Sequence, residues 1–230
     1  MVPRILIDEA ETPGGGSLRL LSRGDDFSIM LGANELTSSR FSASEETLAT
    51  ASCERISGVP APHLLIGGLG MGFTLRAALA CLPAGAAITV AELVPQVVAW
   101  AEGPLAHLHG DSLADPRVTV LVRDVRALIG EAIGRYDAIL LDVDNGPDGI
   151  THSANDRLYD AHGLAAARVA LRPGGILAVW SAGPDAAFAE RLRKVGFEVE
   201  EVRTRATRGR SGAHHVIWLA TKPGGSPETA

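Results

Sequence analysis

Glycines crowd the point where a short apolar segment, residues 63–66, gives way to a predicted helix. The six residues after the segment read Gly67-Gly68-Leu69-Gly70-Met71-Gly72. Glycines in such a turn let the backbone bend sharply and approach a ligand closely, and the helix that follows presents free N–H groups to an anionic group. The turn is therefore a candidate binding site, although a tight turn that binds nothing would also carry glycines.

Acidic residues follow the next two apolar segments, again where the segments end. Glu92 lies about 20 residues after Gly72, and a carboxylate with this spacing accepts hydrogen bonds from the hydroxyls of a ribose. Asp124 can accept a hydrogen bond from the amino group of an adenine while the N–H of Val125 reaches a ring nitrogen. Two other interpretations stay open, an exposed charge for Glu92 and a helix N-cap for Asp124.

Two acids, Asp142 and Asp144, follow the fourth apolar segment, and Asn145, Gly146 and Pro147 come directly after them. A turn alone explains Asn-Gly-Pro but does not explain two acids. Doubly wound sheets bind their ligands at the carboxyl ends of the strands. A carboxylate at this position is therefore a candidate for holding or deprotonating an amine.

The elements that position these residues alternate along the chain. Apolar runs without alternation, such as Ala-Ile-Leu-Leu at 138–141, are typical of a parallel sheet that is covered on both faces. Strands separated by helices predict a doubly wound, Rossmann-like α/β fold. We expect five parallel strands and a C-terminal antiparallel hairpin. The predicted strands are 63–66, 87–91, 118–122, 138–141, 176–180, 198–203 and 215–220.

The residues before the alternating pattern predict a small N-terminal extension, residues 1–57. We expect short strands at 4–7, 18–21 and 27–31, a loop over 32–41, and a helix over 43–56. Ser42 with Glu45 three residues later predicts a capping box at the start of this helix. The alternating part, residues 58–222, is expected to form the main domain, and residues 223–230 a disordered tail.

Taken together, the four strand ends resemble S-adenosylmethionine-binding proteins, and more closely the spermidine synthase-like family of class I methyltransferase-fold proteins. The resemblance covers about residues 25–205 and implies a seven-stranded sheet, S-adenosylmethionine as the cofactor, and a homodimer. It rests on Leu64-Leu65-Ile66-Gly67-Gly68 with Gly70 and Gly72, on Val90-Ala91-Glu92-Leu93, on Asp124, on Tyr136-Asp137-Ala138-Ile139-Leu140-Leu141-Asp142, on Leu158-Tyr159, and on Leu171-Arg172-Pro173-Gly174-Gly175-Ile176.

The resemblance also implies roles for particular residues. Asp142 and Asp144 are expected to be catalytic and to orient the acceptor. Separately from the resemblance, Arg40 lies in the loop over the expected site and is a candidate partner for the carboxylate of the cofactor, and a solvated arginine is the other interpretation. The expected substrate-binding residues are Arg40, Glu45, Asn145 and Tyr159. The expected cofactor-binding residues are Gly67, Gly68, Gly70, Gly72, Glu92, Leu93, Asp124, Val125 and Asp142.

The chain departs from the family pattern at three places. The glycine motif carries Leu69 and Met71 where the family has an acid. The family's Tyr-His-Glu element reads Ser-Glu-Glu here, at 44–46, and its Ser-Asp-Pro element reads Val-Asp-Asn, at 143–145. These departures favour methyl transfer from S-adenosylmethionine to a small-molecule nitrogen or oxygen.

Four alternatives stay open at this point. The first is aminopropyl transfer from decarboxylated S-adenosylmethionine, and the second is an intramolecular reaction of S-adenosylmethionine. The third is an NAD-dependent dehydrogenase, which the Asp124 position and the closing hairpin disfavour. The fourth is a non-catalytic cofactor-binding protein.

Composition narrows the classes of partner. The 21 basic and 27 acidic side chains give a net charge of −6, and aromatic residues make up 4%, so we expect neither nucleic acid nor stacked bases as a ligand. The two cysteines form no disulfide framework or metal-binding spacing, and we expect no metal. The apolar stretch 77–91 is too short for a membrane span. With no visible signal peptide, the sequence predicts a cytoplasmic protein.

Overall fold

The structure is a computed structural model that describes residues 2–143, 146, 157–207 and 213–224. A small sheet comes first, and a larger sheet covered by helices follows. The strands are β1 (Ile5–Glu11), β2 (Ser17–Arg23), β3 (Asp26–Leu31), β4 (Asn34–Ser38), β5 (His63–Gly67), β6 (Ala87–Glu92), β7 (Val118–Val122), β8 (Tyr136–Leu141), β9 (Leu171–Ser181), β10 (Glu198–Arg205) and β11 (His214–Thr221). The helices are α1 (Ala43–Arg55), α2 (Phe73–Cys81), α3 (Pro95–Glu102), α4 (Ala106–His109), α5 (Val125–Gly130), α6 (Ala161–Ala170) and α7 (Ala186–Lys194).

The N-terminal sheet is an antiparallel meander in the order β1-β2-β3-β4. The prediction of a loop over 32–41 was wrong, because this stretch contains β4. Leu31 pairs with Asn34 across a two-residue turn, and Gly32 in that turn has a φ of +57°, as tight hairpins require. The polar sequence of β4, Asn-Glu-Leu-Thr-Ser, lacks the apolar alternation that marks a strand.

Helix α1 begins at the predicted position but without the predicted capping box. Ser42 makes no side-chain cap. Its hydroxyl instead donates to Oε1 of Glu46 at 2.9 Å. Glu45, the residue expected to complete the box, is therefore available for other contacts.

The seven-stranded sheet has the order β10-β11-β9-β8-β5-β6-β7. Strands β5 to β9 are parallel, and β10 and β11 form the antiparallel C-terminal hairpin. The predicted doubly wound α/β fold is confirmed. The chain leaves β5 toward β6 and β7 and then returns to β8 on the other side, so the strand order reverses at β5 and β8. A crevice forms at such a switch point, outside the carboxyl ends of the strands.

Residues of the central strands alternate between two apolar layers, as the pleat of a strand requires. Leu64 and Ile66 pack with α1, α2 and α3, whereas Leu65 packs with α5, α6 and α7 on the opposite face. Leu20 of the N-terminal sheet belongs to the first of these layers. The small sheet therefore lies on the same side of the large sheet as α1 and α2. Among the described residues, no helix is long and apolar enough to cross a membrane.

Candidate active site

A cavity of about 200 Å³ lies where the carboxyl ends of β5 to β8 meet the N-terminal sheet. Most of the residues predicted to bind cofactor line it. These are Gly68, Gly70, Gly72, Glu92, Leu93, Asp124, Val125 and Asp142, and the predicted substrate-binding residue Glu45 joins them. The structure therefore brings together side chains from four strand ends and from α1.

The glycine turn passes so close to its neighbours that side chains would not fit. Gly68 has a φ of +90°, and a Cβ there would lie 2.5 Å from the carbonyl oxygen of Asp142. Gly72 has a φ of +78°, and its Cβ would collide with the imidazole of His109. Gly67 does not line the cavity; its Cβ would lie 3.1 Å from side-chain atoms of Leu141 and Val125. Gly67 therefore allows Leu141 and Val125 to pack closely against the backbone at the start of the turn.

Glu92 is buried at the end of β6 and holds the glycine turn in place. Its Oε2 accepts from the N–H of Leu69, and its Oε1 accepts from the N–H of Val94, both at 2.9 Å. Burial raises the pKa of Glu92, while these backbone N–H groups lower it. Each carboxylate oxygen can accept a further hydrogen bond. Glu92 therefore has a structural role, and its remaining acceptor positions are compatible with the predicted contact to a ribose.

Asp124 forms the N-cap of α5, which was the alternative interpretation of this residue. Its Oδ1 accepts from the N–H of Arg126 at 2.8 Å, and its Oδ2 accepts from the Arg126 guanidinium at 3.0 Å. Asp124 and Val125 nevertheless line the cavity. Capping and ligand binding are compatible here, because a carboxylate has about four acceptor positions.

Asp142 is half-buried at the end of β8, beside the first turn of α2. The hydroxyl of Thr74 donates to its Oδ2 at 2.7 Å. Burial raises the pKa of Asp142 to about 6, although the hydrogen bond from Thr74 lowers it. A carboxyl group with a pKa near the working pH is suited to accept and return a proton.

Glu45 reaches the cavity from the first turn of α1. Its Oε1 accepts from the hydroxyl of Thr37 at 3.2 Å. Its Oε2 is buried and has no hydrogen-bond partner among the residues that the structure describes. Burial, and then the charge of Asp142, raise the pKa of Glu45 well above its usual value. Two half-buried carboxyl groups therefore act on one another inside the cavity.

The charge lining the cavity is almost entirely negative. The acids are Glu45, Glu92, Asp124 and Asp142. Within the described lining, Arg123 is the basic residue, and its guanidinium donates to the carboxylate of Glu131 at 2.6 Å. The lining is thus suited to a cationic ligand.

Two predicted substrate-binding residues lie outside the cavity lining, contrary to expectation. Arg40 is exposed, and its guanidinium lies over the ring of Phe41 at 5.0 Å. Tyr159 is buried in the second apolar layer, where its ring packs on Phe188. Its hydroxyl donates to the carbonyl of Val143 at 3.5 Å. The predicted residues Asp144 and Asn145 fall outside the described residues.

Sequence reasoning missed the wall that the N-terminal sheet gives the cavity. Thr12 and Gly14 come from the turn between β1 and β2, and apolar side chains come from the strands. The apolar members of this wall are Leu18, Ile29, Leu31 and Leu36. Strand alternation marks some of them as buried, but only tertiary structure shows that they face the cavity.

His109 packs behind the glycine turn and was not predicted to have a role there. It is 1% exposed, and neither ring nitrogen has a hydrogen-bond partner among the described residues. Burial lowers the pKa of His109 to about 4, so the ring is neutral near pH 7. In the described ranges, no cluster of three or more His, Cys, Asp and Glu side chains could hold a metal ion.

The curated relatives of the chain carry one name. Polyamine aminopropyltransferase 2 of Pseudomonas aeruginosa is 32% identical over 155 residues, which are 63% of this chain and 42% of the relative. Polyamine aminopropyltransferase of Mycobacterium tuberculosis is 31% identical over 167 residues, 70% of this chain and 30% of the relative. The chain thus spans less than half the length of these relatives. No family model matches it.

Solved structures of spermidine synthases have a similar fold. Spermidine synthase from Thermotoga maritima superposes with a TM-score of 0.76 at 18% identity, covering 94% of this chain and 72% of that one. A spermidine synthase in complex with the transition-state analogue AdoDATO superposes with a TM-score of 0.75 at 18% identity, with the same two coverages. The chain is therefore similar in sequence to polyamine aminopropyltransferases over part of their length, and it has the fold of the solved spermidine synthases.

Proposed function

We propose that the protein transfers an aminopropyl group from decarboxylated S-adenosylmethionine to a small-molecule amine. The nitrogen of the acceptor forms a bond to the aminopropyl carbon, and the bond from that carbon to the sulfonium sulfur breaks. The sulfur leaves as the thioether 5′-methylthioadenosine, and the acceptor nitrogen loses a proton. We propose aminopropyl transfer in place of the expected methyl transfer, because the relatives named above are polyamine aminopropyltransferases.

The observation that carries the proposal is the charge of the cavity. Decarboxylated S-adenosylmethionine presents a sulfonium and an ammonium group and no carboxylate. The carboxylate of S-adenosylmethionine itself would meet Glu45 and Asp142, while Arg123 is already paired with Glu131. Like charges brought together in a site cost several kcal/mol. The described lining therefore favours the decarboxylated cofactor.

The remaining contacts are part of the proposal, and the lining of the cavity supports them. The glycine turn lies against the cofactor, Glu92 accepts from the ribose, and Asp124 with Val125 takes the adenine. The apolar side chains of the N-terminal sheet cover the methylene chains and keep water out. Because a sulfonium is already activated, catalysis consists mainly of aligning the acceptor nitrogen with one carbon.

Asp142 takes the proton that the acceptor loses. Its pKa of about 6 leaves it ionised near pH 7, so it can hold an ammonium group and then accept a proton from it. A carboxylate at the end of β8 also lies at the switch point of the sheet, where ligands of doubly wound folds bind.

Calorimetry tests the choice of cofactor. We expect decarboxylated S-adenosylmethionine to bind about tenfold or more tightly than S-adenosylmethionine, since every 1.4 kcal/mol is about tenfold. We expect NAD not to bind. Tighter binding of S-adenosylmethionine would restore the methyl-transfer interpretation, and binding of NAD alone would overturn both.

A further inference from the structure

Glu45 and Asp142 form a pair of half-buried carboxyl groups in the cavity lining that the proposed reaction does not fully use. Each has one oxygen held by a threonine, Thr37 for Glu45 and Thr74 for Asp142. The second oxygen of Glu45 is buried in the cavity wall and has no partner in the described part of the chain. A buried charge without a partner is costly, so this oxygen needs either a proton or a cation.

Among the residues that the structure describes, the groups that act on the pair supply no cation. The charges that act on Glu45 come from Asp142 on β8 and from Glu46 on its own helix, and both are acidic. From β11, His215 contacts the hydroxyl of the neighbouring Ser44 at 2.9 Å. Burial lowers the pKa of His215, so its ring is neutral near pH 7.

The helix that lies against α1 also gives the pair no positive charge. On α2, the guanidinium of Arg76 donates to the carbonyl of Leu108 at 2.7 Å. Thr74 on the same helix contributes only a hydroxyl, which lies 2.7 Å from Asp142 and 3.4 Å from the carbonyl of Glu45. Within the described part of the chain, the pair is therefore a site for one positive charge, which a ligand can bring.

We propose that Glu45 and Asp142 together form one ammonium site, which holds a proton when it is empty and releases it when a primary ammonium group binds. The inference rests on the proposed function in one respect, since it assigns the terminal amine of decarboxylated S-adenosylmethionine as the occupant. This amine is favoured because both acids lie beside the start of α2 and the glycine turn, where the tail of the cofactor lies.

The proton balance of binding is simple. The empty site carries one carboxyl group and one carboxylate, because the charge of Asp142 acts on Glu45 across the cavity and disfavours ionisation of both acids. The incoming ammonium group keeps its three protons, both acids become carboxylates, and one proton passes to the buffer. The proton that leaves comes from Glu45, whose pKa is raised well above its usual value, so binding of the cofactor ionises Glu45 while Asp142 stays a carboxylate.

Calorimetry in phosphate and in Tris buffer measures this proton directly, because the two buffers differ in the heat of taking it up. We expect decarboxylated S-adenosylmethionine to release up to one proton per site near neutral pH. The matched ligand is 5′-methylthioadenosine, which keeps the adenosine and the sulfur but lacks the amine. It is expected to bind without releasing a proton.

The variant Glu45→Gln tests whether Glu45 belongs to the ammonium site. We expect it to weaken binding of the decarboxylated cofactor about tenfold or more, as loss of a charged hydrogen bond implies. Proton release should disappear, while 5′-methylthioadenosine should bind as it does to the wild type. Glu54→Gln, the same change at an exposed position of the same helix, should behave as the wild type with both ligands.

The outcomes separate this inference from the proposed function. If 5′-methylthioadenosine and the decarboxylated cofactor both fail to bind, the proposed function is wrong and the inference falls with it. If both bind but the wild type releases no proton with the amine-bearing ligand, the carboxyl pair is not the ammonium site. Equal weakening of both ligands in Glu45→Gln would also contradict the inference.

Discussion

Thr74 and Asp142 show how one hydroxyl can adjust a half-buried acid at the scale of single residues. Burial alone would raise the pKa of Asp142 further, and the hydrogen bond from Thr74 opposes that rise. The same contact fixes the orientation of the carboxyl group at the end of β8. A base whose pKa lies close to the working pH depends on both effects.

Replacing Thr74 by valine should raise the pKa of Asp142, because the hydroxyl that stabilises the charged form is lost. The acidic limb of the pH–rate profile should move to higher pH by on the order of one unit, since a hydrogen bond to a charged group is worth about 1.5–3 kcal/mol. Thr50→Val is the control, because Thr50 lies on α1 and donates to the carbonyl of Thr47. If the acidic limb of the pH–rate profile is unchanged in Thr74→Val, Asp142 is not the base.

Glu92→Gln tests the ribose contact and the anchoring of the glycine turn. The amide keeps one acceptor oxygen but loses the negative charge, so we expect cofactor affinity to fall by about 1.5–3 kcal/mol. Calorimetry with 5′-methylthioadenosine measures the loss, and Glu102→Gln, an exposed change at the end of α3, serves as the control. Unchanged affinity would show that Glu92 holds the turn alone and does not contact the ligand.

At the scale of elements, the backbone geometry of the glycine turn determines how closely α2 approaches the acid at the end of β8. The turn fits between β5 and β8 only because Gly68 has no side chain. Its close approach to the carbonyl of Asp142 brings the start of α2, and with it Thr74, to the acid. A change in the turn therefore affects the acid as well as the cofactor contact.

Gly68→Ala should destabilise the protein by about 1–3 kcal/mol, because it adds backbone strain at a positive φ and a clash with Asp142. Urea denaturation measures the change. Gly58→Ala is the matched control, since Gly58 is exposed and a Cβ there would meet nothing within 4 Å. Equal stability of the two variants would contradict the tight packing of the turn.

The elements also show what could be predicted from the sequence. The five parallel strands and the hairpin follow from apolar runs separated by glycine and polar turns, and each lies close to its predicted position. The polar strand β4 gave no such signal. Ser42 and Glu45 match the local pattern of a capping box, but Glu45 turns toward Thr37 and the cavity, because tertiary contacts override the local pattern.

Site residues at strand ends could be predicted because parallel strands bring their carboxyl ends to one edge. The positions of Arg40 and Tyr159 could not be predicted in this way, because they depend on the direction in which a loop and a helix orient their side chains. The apolar wall from the N-terminal sheet depends on how that sheet packs against the large one. Such packing has no signature in a short stretch of sequence.

For the whole molecule, the pair of acids links function to stability. Burial and Asp142 raise the pKa of Glu45 well above its usual value, so the folded protein holds a proton that the unfolded chain releases at lower pH. Stability therefore falls as the pH rises from the ordinary value for glutamate to the raised one. The two acids therefore lower the stability of the ligand-free protein, and the same two acids are the groups that receive the cation.

Glu45→Gln should make the melting temperature of the ligand-free protein less dependent on pH over this interval. The wild type should lose about 1.4 kcal/mol for each unit by which the pKa is raised, and the variant should not. Melting curves measured across acidic to neutral pH test this, with Glu54→Gln expected to follow the wild type. A pH dependence that is the same in all three proteins would contradict the raised pKa.

The fold, the acidic cavity and the relatives together support the proposal that the whole molecule moves an aminopropyl group rather than a methyl group. The most direct measurement supplies both S-adenosylmethionine and its decarboxylated form together with a diamine, and identifies the nucleoside product by mass spectrometry. The proposal predicts 5′-methylthioadenosine and an acceptor that gains an aminopropyl group. Formation of S-adenosylhomocysteine with a methylated acceptor would contradict it.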